Sequence, residues 1–194
     1  KHFNSGIVVK GQLYVVNNPD YEQFKYNTIE VFDLNLNHLY YIEVTGNTGS
    51  LVAIDKFGEK WFGCFAHKGD ENKFSIIAEF YHPRPDLNDN NVGLKDIVRW
   101  HIRERFLFPK KVIESTTPES LQGFSFGPDG KIYVTGATKK EIYVLLIHPS
   151  SPIMSLDYVL PVENSGSSID WDRYRGLLFT IDKPTKKVIV YKAF

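Results

Sequence analysis

The chain has 194 residues, of which 42% are apolar and 24% charged. That is enough apolar material for one packed domain or an array of short repeats, and too much for a disordered chain. Lysine plus arginine (23) equals aspartate plus glutamate (23), so the sequence lacks the positive excess on which nucleic-acid binding rests. A lone cysteine excludes an internal disulfide, and no apolar run approaches the ~20 residues of a membrane-spanning helix.

Aromatic residues reach 14% of the chain, which favours strands. In chain order, one pattern returns four times, at residues 6–16, 51–62, 124–134 and 169–179. Each copy is a short apolar run, a polar turn closed by glycine, and a second apolar run. The turn glycines are Gly11, Gly58, Gly130 and Gly176, placed where a tight hairpin needs a positive φ. Their spacings are 47, 72 and 46 residues. The middle spacing is one period plus an insertion.

The first hairpin is followed by strand-like runs at 28–32 and 39–44, the third by runs at 141–147 and 156–160, and the fourth by one at 187–191. They are β-branched and aromatic, bounded by Asn, Asp, Gly and Pro. In the second period, 74–80 and 96–101 compete for the third strand, with 106–108 as the fourth. A helix over 97–112 is the competing reading there, interrupted by Pro109.

A period near 46 residues holding four strands is the size of a propeller blade. The expected fold is therefore all-β: a β-propeller with four blades of four-stranded antiparallel sheet. It forms a single domain over 1–194, with repeats at about 5–46, 47–114 (insertion 69–95), 115–162 and 163–194. A β-sandwich is the alternative, but gives no reason to repeat one hairpin at equal intervals. The fourth repeat stops after its third strand and few residues precede the first. This suggests the C-terminal part of a larger five- or six-bladed ring.

The stretch 124–136, reading FSFGPDGKIYVTG, resembles the first hairpin of blades in the NHL and SMP-30/gluconolactonase-like propellers, and 168–172 (SIDWD) is similar to the same strand. The resemblance implies a fold and little function. In the lactonase-like members it also implies a pore calcium held by a Glu, Asn residues and an Asp. No glutamate opens a first strand here, so no catalytic residue carries over.

In a blade the start of the first strand and the end of the second share one rim. The starts supply His2, Asn4, Ser5, Ser50, Gln122, Ser165 and Ser167, and the ends supply Asn17, Asn18, His67, Thr135, Thr138 and Asp182. From these, His2, Asn4, Asn18, His67, Gln122, Ser167 and Asp182 form the candidate ligand-binding set. Such a rim suits a small polar molecule or a protein loop. Ser, Asn and Asp are equally the ordinary residues of turns. Along the first strands, Ile7/Val9, Val52/Ile54, Phe124/Phe126 and Ile169/Trp171 should pack between blades, alternating with Val8, Ala53, Ser125 and Asp170. Asp170 is the lone charge of that inner layer.

Other motifs fail their context. G-x-S-x-G at 123–127 lies inside a strand rather than at a strand-to-helix turn, and 86–97 lacks the glycine and glutamate of a calcium loop. Cys64 reads as buried and inert. The leading expectation is a binding propeller. The alternatives are a calcium-dependent lactonase-like hydrolase and a protein-interaction scaffold presenting Tyr21, Phe24 and Tyr26. Neither nucleic acid nor membrane is expected as a partner. A cytoplasmic, periplasmic or secreted location all fit a chain with one cysteine.

Overall fold

The structure, a computed structural model, describes residues 3–17, 27–46, 49–81, 98–163, 168–182 and 184–192. Four antiparallel sheets follow one another along the chain. The first holds β1 (Phe3–Val9), β2 (Gln12–Asn17), β3 (Asn27–Asp33) and β4 (His38–Thr45), and the second β5 (Ser50–Phe57), β6 (Lys60–Ala66), β7 (Ile76–Tyr81) and β8 (Val98–Leu107). The third holds β9 (Leu121–Phe126), β10 (Ile132–Gly136), β11 (Glu141–His148) and β12 (Ser151–Pro161). The fourth shows three strands, β13 (Ile169–Asp172), β14 (Leu177–Asp182) and β15 (Lys187–Lys192).

The four hairpin glycines take φ values of +79°, +58°, +76° and +64°, the left-handed backbone that each turn requires. In the second sheet β7 takes the third place and β8 the fourth. The strand over 98–107 excludes a helix across 97–112. Pro109 instead caps a short helix, α1 (Lys110–Thr116), because a missing N–H costs nothing at a helix start.

First strands contact first strands in succession, β1 to β5, β5 to β9 and β9 to β13. Fourth strands also lie side by side: β4 runs parallel to β8, with Ile42 facing Val98 and Val44 facing Trp100, and β8 meets β12 at Leu107 and Ile153. The sheets thus stack about an axis in the propeller-like way. Period-2 alternation lets an inner sheet bury both faces. In the second sheet Leu51, Ile54, Trp61, Phe65 and Trp100 pack toward the first, while Ala53, Phe62, Cys64 and Phe106 pack toward the third.

Each seam carries aromatic rings. Tyr14, Trp61 and Trp100 succeed one another at centroid separations of 4.8 and 4.9 Å. Phe57 and Phe62 lie 4.9 and 4.8 Å from Phe126, and Tyr133 meets Trp171 edge-on at 5.0 Å. One expected side-chain assignment changes. A register shift between Leu51 and Ala53 separates Val52 from Ile54, so each packs in a different seam and Ala53 enters the core. Such a bulge turns every later side chain of the strand over. Among the described residues no helix is long and apolar enough to cross a membrane.

Candidate functional site

At the turn end of the first strands, three sheets are tied together by one buried carboxylate. Asp55, among the last residues of β5 before the turn, is 1% exposed. Its Oδ2 accepts from Ser125 Oγ at 3.0 Å, from the Phe126 backbone N–H at 2.7 Å and from Arg173 Nη2, and its Oδ1 accepts from the Lys56 N–H at 2.6 Å. Arg173 sits in the turn after β13. It also donates to the Lys56 carbonyl at 2.7 Å and the Phe126 carbonyl at 2.8 Å. A buried charge needs this density of partners.

Ser125 Oγ also lies 3.4 Å from Asp170 Oδ1. Desolvation, and then the like charge of Asp55, raise the Asp170 carboxyl above its ordinary value, against the Trp171 N–H, Arg173 and Ser125. Asp170 is therefore partnered, its carboxyl partly desolvated although the residue as a whole is exposed. Ser125, buried inside β9 as a donor, is not a strand-to-helix nucleophile.

At the opposite strand ends, Asn4 lies in β1, His67 follows β6, Gln122 lies in β9 and Asp182 ends β14. His2, Asn18 and Ser167 lie outside the described residues, as do Tyr21, Phe24, Tyr26 and the segment 86–91. Each described member has local partners or half-buried surroundings rather than a bond to another member. Gln122 Nε2 donates to Ser120 Oγ at 3.1 Å, and Asp182 Oδ2 accepts from the Thr185 hydroxyl. The His67 backbone N–H donates to Ser75 Oγ at 2.9 Å, and its Nδ1 lies 3.6 Å from Glu71 Oε2.

A firm platform stands under His67. Buried Asn72, in the 3-10 turn Gly69–Phe74, donates to Thr116 Oγ1 at 2.9 Å and Thr117 Oγ1 at 3.1 Å, and its Oδ1 accepts from Ser75 at 2.9 Å. The insertion after β6 is thereby fastened to α1. His67 also packs against Gly49, where an added Cβ would come within 2.6 Å of Nε2.

Buried side-chain atoms without a partner include Asn17 Oδ1, His67 Nε2 and Thr135 Oγ1. All three stand at the exit of the second strand, in the first, second and third sheets respectively. Buried polar groups are nearly always bonded to protein or ordered water, so three such atoms at matching places mark this rim.

Cavities among the described residues also lie elsewhere. One of about 460 Å³ is lined by Lys60, Glu79, Glu104 and Arg105 of the second sheet and by the turn around Pro149. Within it buried Glu79 is held by Lys60 at 2.7 Å and Arg103 at 3.5 Å. Another, of about 500 Å³, lies between the third and fourth sheets. Among the described residues no group of three or more His, Cys, Asp or Glu could hold a metal. The carboxylates of the inner layer, Asp55 and Asp170, are already engaged with Arg173, serine and backbone donors. They do not fit a calcium site.

No protein-family model matches the chain, and no curated protein matches it. Solved structures do. A candidate 6-phosphogluconolactonase from Bacteroides uniformis matches with a TM-score of 0.53 at 14% identity, over 98% of this chain and 53% of that one. Its counterpart from Bacteroides fragilis gives the same figures. The β-propeller domain of Cps50 (Swd1) from Myceliophteria thermophila matches with a TM-score of 0.51 at 13% identity, over 99% of this chain and 54% of that one. The chain spans about half the length of these structures. At such identities the likeness is one of fold: the chain has an all-β, propeller-like fold.

Proposed function

We propose that the chain is a binding propeller that holds a small polar molecule or a partner's loop on the rim bearing His2, Asn4, Asn18, His67, Gln122, Ser167 and Asp182. The observation that carries this reading is the orphaned trio Asn17 Oδ1, His67 Nε2 and Thr135 Oγ1, one in each of the first three sheets, at the strand ends that also carry Asn4, His67, Gln122 and Asp182. A ligand hydroxyl or amide, directly or through water, would complete their bonding. A closer kinship with the NHL or SMP-30 rings rests on the hairpin at 124–136 and the strand at 168–172. A lactonase-like hydrolysis draws only on likeness of fold.

The test is a ligand-observed NMR screen with polyols, sugar acids and short polar peptides. It compares the native chain with a variant carrying Asn18→Ala, His67→Ala and Gln122→Ala. Binding that disappears in the folded variant supports the rim. If every interaction survives the triple substitution, the rim assignment fails.

A further inference from the structure

The second and third sheets meet through rings and aliphatic side chains along most of their seam, but on its outer side the seam ends in charge. Cross-strand pairing sets the order of side chains on the second sheet's face. Phe62 stands opposite Glu79, and Glu79 opposite Glu104; next on the same face, Ile77 stands opposite Phe106. The turn of the β11–β12 hairpin, with Pro149 and Pro152, forms the other wall of the cavity of about 460 Å³. Both flanking sheets hold four strands. The volume falls in the range of about 300–1,000 Å³ typical of small-molecule pockets.

The charges around this cavity are unevenly matched. Glu79 is 3% exposed and already holds two cations, Lys60 Nζ at 2.7 Å and Arg103 Nη1 at 3.5 Å. Such pairing is what permits a buried carboxylate, and it leaves positive charge in excess. Lys60 keeps 58% of its side chain open and has N–H groups to spare. Arg105 gives Nη2 to the Gly46 carbonyl at 2.9 Å and keeps the rest of its fork. Glu104 directly faces Glu79, and like charges in that position destabilise a sheet. Among the described residues no cation or donor is paired with Glu104. The cavity therefore sets two cationic heads beside one uncompensated carboxylate, over an apolar floor.

We infer that this cavity binds a free α-amino acid with an apolar side chain. The ammonium group pairs with Glu104, the carboxylate with Lys60 and Arg105, and the side chain rests on Phe62, Phe106 and the proline-bearing turn. Charge-assisted hydrogen bonds of this kind are the strong ones, and each half of the zwitterion relieves one imbalance. A simple anion would meet Glu104, and a simple amine would meet Lys60 and Arg105; like-charge juxtaposition excludes wrong partners. The cavity shares no residue with the rim, and the two sites are independent.

The probes are leucine, methionine and phenylalanine, titrated by calorimetry, with N-acetylphenylalanine and phenethylamine as controls that keep one charge each. Expected results are saturable binding of at least one amino acid and at least tenfold weaker binding of both controls. Amide NMR shifts at Ser150 and Ser151 should locate the ligand. Glu104→Gln should weaken the amino acid about tenfold without weakening N-acetylphenylalanine, because the repelling carboxylate is gone. Arg105→Gln should weaken the amino acid to a similar degree. Both positions are exposed, and thermal melts check that the variants fold. The variant carrying Asn18→Ala, His67→Ala and Gln122→Ala should bind the amino acid as the native chain does. No saturable binding of any of the three amino acids, equal binding of the single-charge controls, unchanged affinity in either cavity variant, or shifts confined to the rim would overturn the inference.

Discussion

Replacing Asp55 with alanine tests whether the turn-end network holds three sheets together. The substitution removes the acceptor for Ser125 Oγ, the Phe126 and Lys56 N–H groups and Arg173 Nη2. Losing one partner of a buried ion pair costs about 3–5 kcal/mol. Arg173 keeps 30% of its side chain open and retains two carbonyl acceptors, so water relieves part of the loss and the lower figure, about 3 kcal/mol, applies. At about 2–4 °C per kcal/mol for a chain of this size, Tm falls by roughly 6–12 °C. With a urea m-value near ~2 kcal/mol/M, the midpoint falls by about 1.5 M. Tryptophan fluorescence reports the transition, because Trp61, Trp100 and Trp171 lie in two of the three seams. Arg173→Ala and the double variant complete a cycle whose coupling should exceed about 1 kcal/mol. A loss below about 0.5 kcal/mol for Asp55→Ala, or strictly additive single losses, would refute the assignment of Asp55 and Arg173 as a bridge.

The native state holds the Asp170 proton to higher pH than the unfolded chain does, so this residue's contribution to stability declines as pH rises above 3.8. Asp170→Asn should remove that decline in urea midpoints measured against pH, and an unchanged slope would contradict it. Gly63→Ala would bring a Cβ to 2.6 Å from Phe80 Cζ and 2.7 Å from Leu51 Cδ1, overpacking at a cost of about 1–3 kcal/mol. A thermal midpoint equal to that of the native chain would show that β6 accommodates the methyl group.

Hairpin chemistry made most of the fold readable. Glycine at 11, 58, 130 and 176 answers a local demand for positive φ, so its spacing reports the architecture without any tertiary information. The bulge between Leu51 and Ala53 was invisible, because Leu-Val-Ala-Ile is equally apolar on either face and only the partner strand fixes the register. The helix Lys110–Thr116 was missed for a related reason. The repeat needed only 106–108 as its fourth strand, and Pro109 was read as interrupting a helix over 97–112 when proline also starts helices. The network around Asp55 was half visible: strand alternation singled out Asp170 as the lone charge of the inner layer, while Asp55 falls in a strand whose bulge hid its facing. Arg173, however, lies 118 residues beyond Asp55, and no local pattern connects a turn arginine with a strand at that distance. The orphaned rim atoms were foreseeable only as residue types, since burial without a partner is a property of packing.

The bridge and the proposed rim stand at opposite ends of the same strands, and that separates their consequences. Asp55 faces Phe62 near the hairpin end of the second sheet, whereas His67 follows Ala66, which faces Ser50 at the other end. Between them lie the packed rings of the seams, so a substitution at either end leaves the other's hydrogen bonds in place. Sites that share no partners and lie far apart combine additively. Weakening the bridge should lower stability while leaving any ligand affinity of the rim intact, and His67→Ala should do the reverse. His67 is fixed through its backbone by Ser75, and Ser75 by Asn72, which leaves the ring nitrogen Nε2 as the part of this residue without a structural task. Evolution of a new ligand preference could then proceed at the rim without reopening the question of how the sheets hold together.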